Sequence, residues 1–304
     1  MENKYLAQAY KGNTNLWRYV LGFVLIVLGV LLFSLPYNVV ISNKVASGEA
    51  DALRIEDLNY LYTLMNSNLS LFYMMLPFVG GMLTLSLVLK KINKQSWLSL
   101  TTSRERIDVK RMFFSFLFWG AMIVLFFAMG YLISPENIKW NFNAKEFSLL
   151  FVLSILLIPI QTSLEEYVFR GYLMQSLALS TKTKWLPLVI TSICFGGLHY
   201  ANPEVGQLGP LVMIFYVGTG FLLGVITLMD EGMELSLGFH AANNLITALL
   251  VTTDWTAFQT AALFKDYSKP SLMMELLAMA ILYPVLLIVL AKKYKWHSWK
   301  EKLI

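Results

Sequence analysis

Eight apolar runs separated by polar connections constrain this chain more than any other feature of it. They cover residues 19–35, 69–89, 112–133, 147–179, 185–201, 211–228, 235–251 and 272–291. Each has the roughly 17 or more residues that a helix needs to cross a hydrocarbon core of about 30 Å. Lipid offers no partners to backbone N–H and C=O groups, and the runs lack the alternation of barrel strands, so helices are required. The expected fold class is therefore all-α, a polytopic integral membrane helical bundle of about eight transmembrane helices. Composition agrees, with 14% charged residues where soluble domains carry about 25%. The run 147–179 is too long for one perpendicular crossing and is expected to tilt, to kink near Pro159, or to project beyond the bilayer.

Charge fixes an expected orientation. With the N-terminus in the cytoplasm, seventeen Lys and Arg residues fall on the cytoplasmic side and six (Lys44, Arg54, Lys139, Lys145, Lys265 and Lys269) on the other. That bias follows the positive-inside rule and predicts a multi-pass protein, in the plasma membrane, with both termini cytoplasmic. Topology accounts for the net charge of +5, so no nucleic-acid partner is implied. The first run is too long for a signal-peptide core and has no small-x-small cleavage signature after it, so it reads as a retained span. The single cysteine, Cys194, permits no internal disulfide and is expected to pack. Three regions follow: 1–144 with three spans and polar loops, 145–251 with four helices, and 252–304 with a loop, the last span and a basic tail. Within the longest external loop, 51–64 could form a surface helix.

Ionisable groups at membrane depth cost about 2.5–3.5 kcal/mol each on insertion scales, so those that occur demand an explanation. Glu165, Glu166 and Arg170 lie together inside the fourth run. Glu166 and Arg170 are spaced i,i+4 with the glutamate first, which favours a pair along a helix. Glu165 points about 100° away, is left as the free carboxylate, and suits a general base. The bland alternative is a packing ion pair with a spare glutamate in a wet crevice. His199 closes the sequence Phe195-Gly196-Gly197-Leu198-His199, in which Phe195 and His199 share a face and the glycines allow a close approach. His240 and Asn244 also share a face and offer adjacent donors for a developing oxyanion, or else interhelical glue. Counting residues from the nearest turns puts Glu165 and His199 at similar depth and His240 shallower, in a cavity expected to open to the cytoplasm. Gly220-x-x-x-Gly224 reads as helix contact, and Asp230, Glu231 and Glu234 as a solvated turn.

Taken in order on successive helices, Glu165-Glu166-x-x-x-Arg170, Phe195-x-x-x-His199 and His240-x-x-x-Asn244 resemble the CPBP family, the CAAX proteases and bacteriocin-processing proteins also called Abi, which are intramembrane endopeptidases. The resemblance covers about residues 145–250. It implies that Glu165 and His199 activate water, that His240 and Asn244 stabilise the oxyanion, and that Glu166, Arg170 and Phe195 support the site. The substrate implied is a membrane-associated protein or peptide. Members are often labelled metalloproteases, and a zinc ion would take Glu165, His199 and His240 as ligands. The donor character of Asn244, a poor zinc ligand, favours a metal-free glutamate mechanism; both remain open at this level. A proton-coupled transporter or a catalytically silent partner or immunity protein are the rival readings, and the repeats expected of a transporter are not visible.

Overall fold

The computed structural model describes residues 3–304. Its helices in chain order are α1 (Leu16–Ala46), α2 (Leu58–Thr63), α3 (Ser67–Val88), α4 (Trp97–Thr101), α5 (Val109–Ile133), α6 (Ala144–Glu166), α7 (Met174–Thr181), α8 (Trp185–Gly197), α9 (Pro203–Leu208), α10 (Met213–Asp230), α11 (Glu234–Leu250), α12 (Leu272–Tyr294) and α13 (Trp299–Leu303). Six helical stretches among the described residues are long and apolar enough to cross a membrane: Leu16–Ala46, Ser67–Asn93, Val109–Ile133, Ala144–Thr181, Pro210–Asp230 and Leu272–Tyr294. The other two expected spans fall short. Helix α8 stops after 13 residues, about 20 Å at 1.5 Å per residue, and α11 has 17 residues and carries Glu234, His240, Asn243 and Asn244. Helix α11 is largely buried, whereas α8 leaves Trp185 and Ile193 exposed.

The long fourth run continues from α6 through a π-helical segment, Tyr167–Leu173, into α7. Such wide turns are frequent at functional sites, and this one begins directly after Glu166. Helix α8 packs on α10, and α11 packs on α5 and α6. The crossing of α8 and α10 depends on two glycines. A Cβ at Gly196 would lie 2.9 Å from the Val217 backbone nitrogen, and one at Gly220 would lie 2.9 Å from the Ser192 carbonyl oxygen. Any other residue would force these helices apart.

Both termini gather at one end. Tyr5 is fully buried there, and its hydroxyl donates to the carbonyls of Leu100 at 2.8 Å and Arg170 at 3.1 Å. The expected solvated turn at 230–234 is instead partly an internal ionic cluster. The side chains of Asp230 and Glu234 are 1% and 0% exposed, and Arg104 binds them at 2.8 and 3.0 Å. Arg111 also reaches Asp230, and Trp296 Nε1 donates to it at 3.1 Å. The basic connection before α5 folds over this turn, so two cations that read as topology signals alone also neutralise buried carboxylates. At the opposite, distal end, a small sheet departs from the all-helical expectation. Its order is β1-β3-β2, with β1 (Ile138–Trp140) antiparallel and β2 (Val251–Thr252) parallel to β3 (Phe264–Asp266). Within 51–64 only a short 3-10 turn, Ala52–Arg54, and helix α2 form.

Candidate active site

The cluster grows from one ion pair. Arg170 Nη1 binds Glu166 Oε1 at 2.9 Å, with the two side chains 1% and 0% exposed, as the i,i+4 spacing predicts. A guanidinium has donors to spare, and Arg170 Nη2 uses one on the Gly220 carbonyl at 3.0 Å. Its carbon lies 4.3 Å from the centroid of the Phe195 ring. Arg170 therefore ties the π segment to α8 and α10.

Glu166 Oε1 also meets His240 Nδ1 at 2.8 Å. The depth mismatch expected between them does not occur. Helix α6 is carried on by the π segment and α7, so its far turn projects beyond the turn that starts α11, and counting from the two turns as one level fails. His240 Nε2 lies 3.5 Å from Glu165 Oε2. Glu165 does not share Arg170, as expected, yet it is not free: its Oε1 accepts from Gln161 Nε2 at 2.7 Å. Its Oε2 takes no hydrogen bond from any described residue, and its side chain is 12% exposed. One carboxylate oxygen is fixed by Gln161, and the other is buried beside His240 without a hydrogen-bond partner among the described residues.

Gln161 went unnoticed in the sequence, although it stands one turn before Glu165 on the same face. Its Oε1 accepts from Asn244 Nδ2 at 3.0 Å. Asn244 Oδ1 accepts from Asn243 Nδ2 at 3.1 Å, and Asn243 Oδ1 from Trp119 Nε1 at 3.1 Å. The polar groups of α5, α6 and α11 thus form one chain of bonds from Trp119 to Glu165, and Asn244 keeps a second N–H outside it.

His199 sits just past the end of α8. Its Nδ1 lies 2.9 Å from the Phe195 carbonyl; a carbonyl only accepts, so Nδ1 carries the proton and Nε2 holds the lone pair. The ring stacks on Tyr216 with centroids 4.5 Å apart and planes 21° apart, another contact that sequence gave no sign of. Phe195 stands at the centre, with ring centroids 4.9 Å from His199 and 5.9 Å from His240. Glu165 and His240 are near enough to act electrostatically on His199. Cys194, expected to pack, is exposed.

A zinc ion would need Glu165, His199 and His240 around one point. Among the described residues no three His, Cys, Asp or Glu side chains gather closely enough to hold an ion. His199 Nδ1 on a carbonyl and His240 Nδ1 on Glu166 would leave each Nε2 for a metal, but the three side chains do not converge on one point, so the donor set as placed does not fit a zinc centre. Open volume also differs from expectation. A cavity of about 600 Å³ lies at the distal end, lined by residues of 56–59 and 200–210, and a smaller one of about 160 Å³ lies beside Asp230 and Trp296. The expected cytoplasmic mouth is covered by residues 3–11, α4 and α13.

Comparison with known proteins matches residues 144–246 to the family described as type II CAAX prenyl endopeptidase Rce1-like, the stretch that holds every site residue above except Trp119. The chain is 30% identical over 249 residues to the uncharacterized protein YyaK of Bacillus subtilis (strain 168), which covers 80% of each chain. No solved structure matches.

Proposed function

The chain belongs to the Rce1-like type II CAAX prenyl endopeptidase family, and on that premise we propose that it is an intramembrane endopeptidase using Glu165 and His199 to activate water. The observation that carries this reading is a Glu165 Oε2 that is buried without a hydrogen-bond partner among the described residues, within electrostatic reach of a His199 ring whose Nε2 is the lone-pair nitrogen. A water between them donates one proton to each acceptor. Glu165 takes a proton as the water oxygen bonds to the scissile carbonyl carbon. It then returns that proton to the amide nitrogen as the C–N bond breaks, the usual exchange of roles for a single carboxylate.

The tetrahedral oxyanion needs donors, which come from the second N–H of Asn244 and from His240. Glu166 accepts from His240 Nδ1, which turns Nε2 toward Glu165 and the site. Glu166 and Arg170 offset each other's charge, which lowers the burial cost of both. Gln161 holds Glu165 and Asn244, the proton acceptor and the oxyanion donor, at a fixed separation. A helical substrate hides its carbonyls in hydrogen bonds, so the scissile segment must enter extended. The substrate class is a membrane-associated protein or peptide, and the Lys and Arg distribution supports a plasma-membrane protein with both termini cytoplasmic.

The test is hydrolysis by protein reconstituted in lipid vesicles against a library of apolar peptides. Glu165→Gln keeps an oxygen for the Gln161 bond and is expected to lower kcat by about 10²–10⁴-fold. Equal turnover by the variant would rule out this role.

A further inference from the structure

The 600 Å³ cavity is not lined by the carboxylates of the site. Its walls are two segments, one running into α2 and carrying Glu56, Asp57 and Asn59, the other running into α9 and carrying Tyr200, Asn202 and Gln207. No Lys or Arg lines it. Its volume falls in the range of about 300–1,000 Å³ typical of ligand sites. Three bonds fix the two walls to a common support. Asn59 Oδ1 accepts from Gln259 Nε2 at 2.7 Å, the Ala257 N–H donates to Glu204 at 2.8 Å, and the Tyr62 hydroxyl donates to the Ala257 carbonyl.

The cavity is also joined to the site. Tyr200, Ala201 and Asn202 follow His199 directly, and Asn202 Nδ2 donates at 3.4 Å to the hydroxyl of Tyr216, the residue stacked on His199. We propose that this cavity binds the extended polypeptide that flanks the scissile bond and selects a segment carrying Lys or Arg. The proposal rests on the endopeptidase reading for the word scissile, and on the cavity alone for the binding. Extended chain advances about 3.3 Å per residue, so a few residues beyond His199 reach the acidic wall. The side-chain amides of Asn59, Asn202 and Gln207 offer both donors and acceptors to a strand backbone. Glu56 and Asp57 supply the charge selection; Arg54 lies 3.8 Å from Asp57, which leaves Glu56 as the stronger attractor. The same carboxylates repel lipid phosphate, so a headgroup is the poorer occupant.

The test uses the full chain in phosphatidylcholine nanodiscs and two fluorescent peptides that share an apolar half, one ending in three lysines and the other in three glutamates. Wild type is expected to bind the lysine peptide about tenfold more tightly, against the chain's own net charge of +5. Glu56→Lys combined with Asp57→Asn, which keeps the acceptor that caps α2, is expected to erase that preference. Gly206→Trp, where a Cβ would meet nothing within 4 Å, is expected to weaken both peptides. Equal affinities in wild type, or a preference that survives the charge change, overturn the proposal. Cleavage of the same peptides is scored separately. Selective binding without cleavage supports the cavity assignment and counts against the endopeptidase, whereas cleavage indifferent to charge and to both variants does the reverse.

Discussion

His240 and Glu166, 74 positions apart, are joined by a 2.8 Å bond between Nδ1 and Oε1, and the same carboxylate oxygen holds Arg170 at 2.9 Å. That shared oxygen connects the His240 face of α11 to the π segment and, through Arg170, to α8 and α10. One buried carboxylate therefore sets the relative position of elements that no local interaction relates. Its second oxygen accepts no hydrogen bond from a described residue, so the whole load falls on Oε1.

Removing the cation should accordingly be costly. Arg170→Ala leaves Glu166 buried with its charge uncompensated, and breaking a buried pair in this way costs about 3–5 kcal/mol. Thermal unfolding in detergent is expected to show a large drop in midpoint. A midpoint indistinguishable from wild type would mean that the pair does not hold these helices together.

Gln161 gives a cleaner separation of activity from stability. Gln161→Leu preserves bulk but releases both Glu165 and Asn244. A small displacement of reacting groups costs about 10²-fold, and a fall of that order in kcat is expected with the protein still folded and inserted. Unchanged kcat would show that the Gln161 bonds are incidental.

Tyr216 positions His199 through its ring and the loop beyond through its hydroxyl. Tyr216→Phe retains the stack and is expected to keep kcat within about twofold, whereas Tyr216→Ala is expected to lose about tenfold or more in kcat. The KM for short apolar peptides should move little in either. If the two variants behave alike, stacking on His199 is not what matters.

Much of this site was legible because it obeys local rules. Glu166 and Arg170 sit at i,i+4, His240 and Asn244 share a face, and Gly196 and Gly220 announce a close crossing. Gln161 escaped notice because a lone glutamine in an apolar run has no signature until Asn244 is known to face it. The burial of Asp230 and Glu234 depends on Arg104 and Arg111, which lie about 120–130 positions earlier and also count towards topology. Of the eight expected spans, six are long and apolar enough to cross a membrane; α8 and α11 are shorter, because an apolar run read from sequence does not show where a helix ends. The strand at Val251 was read as helix because its partner, Phe264, is distant in sequence and pairing is not a local property.

Glu204 predicts a dependence on pH. Burial holds its carboxyl above the usual carboxylate value, with the Ala257 N–H acting in the opposite sense. The folded state thus prefers the protonated form. Its contribution to stability is fully present below the ordinary glutamate value and is lost as pH rises through the raised one. Glu204→Gln keeps an acceptor for Ala257 and is expected to flatten that loss, so its stability relative to wild type should rise over the pH range above the ordinary glutamate value. Parallel unfolding curves across this range would contradict the assignment.

The most direct measurement compares cells expressing wild type with cells expressing Glu165→Ala at matched, membrane-inserted levels, by quantitative profiling of the termini of membrane proteins and released peptides. The account predicts a defined set of new termini in wild type that disappears in the variant. Identical termini in the two, with both proteins present and folded, would contradict the claim that Glu165 activates water for peptide-bond hydrolysis.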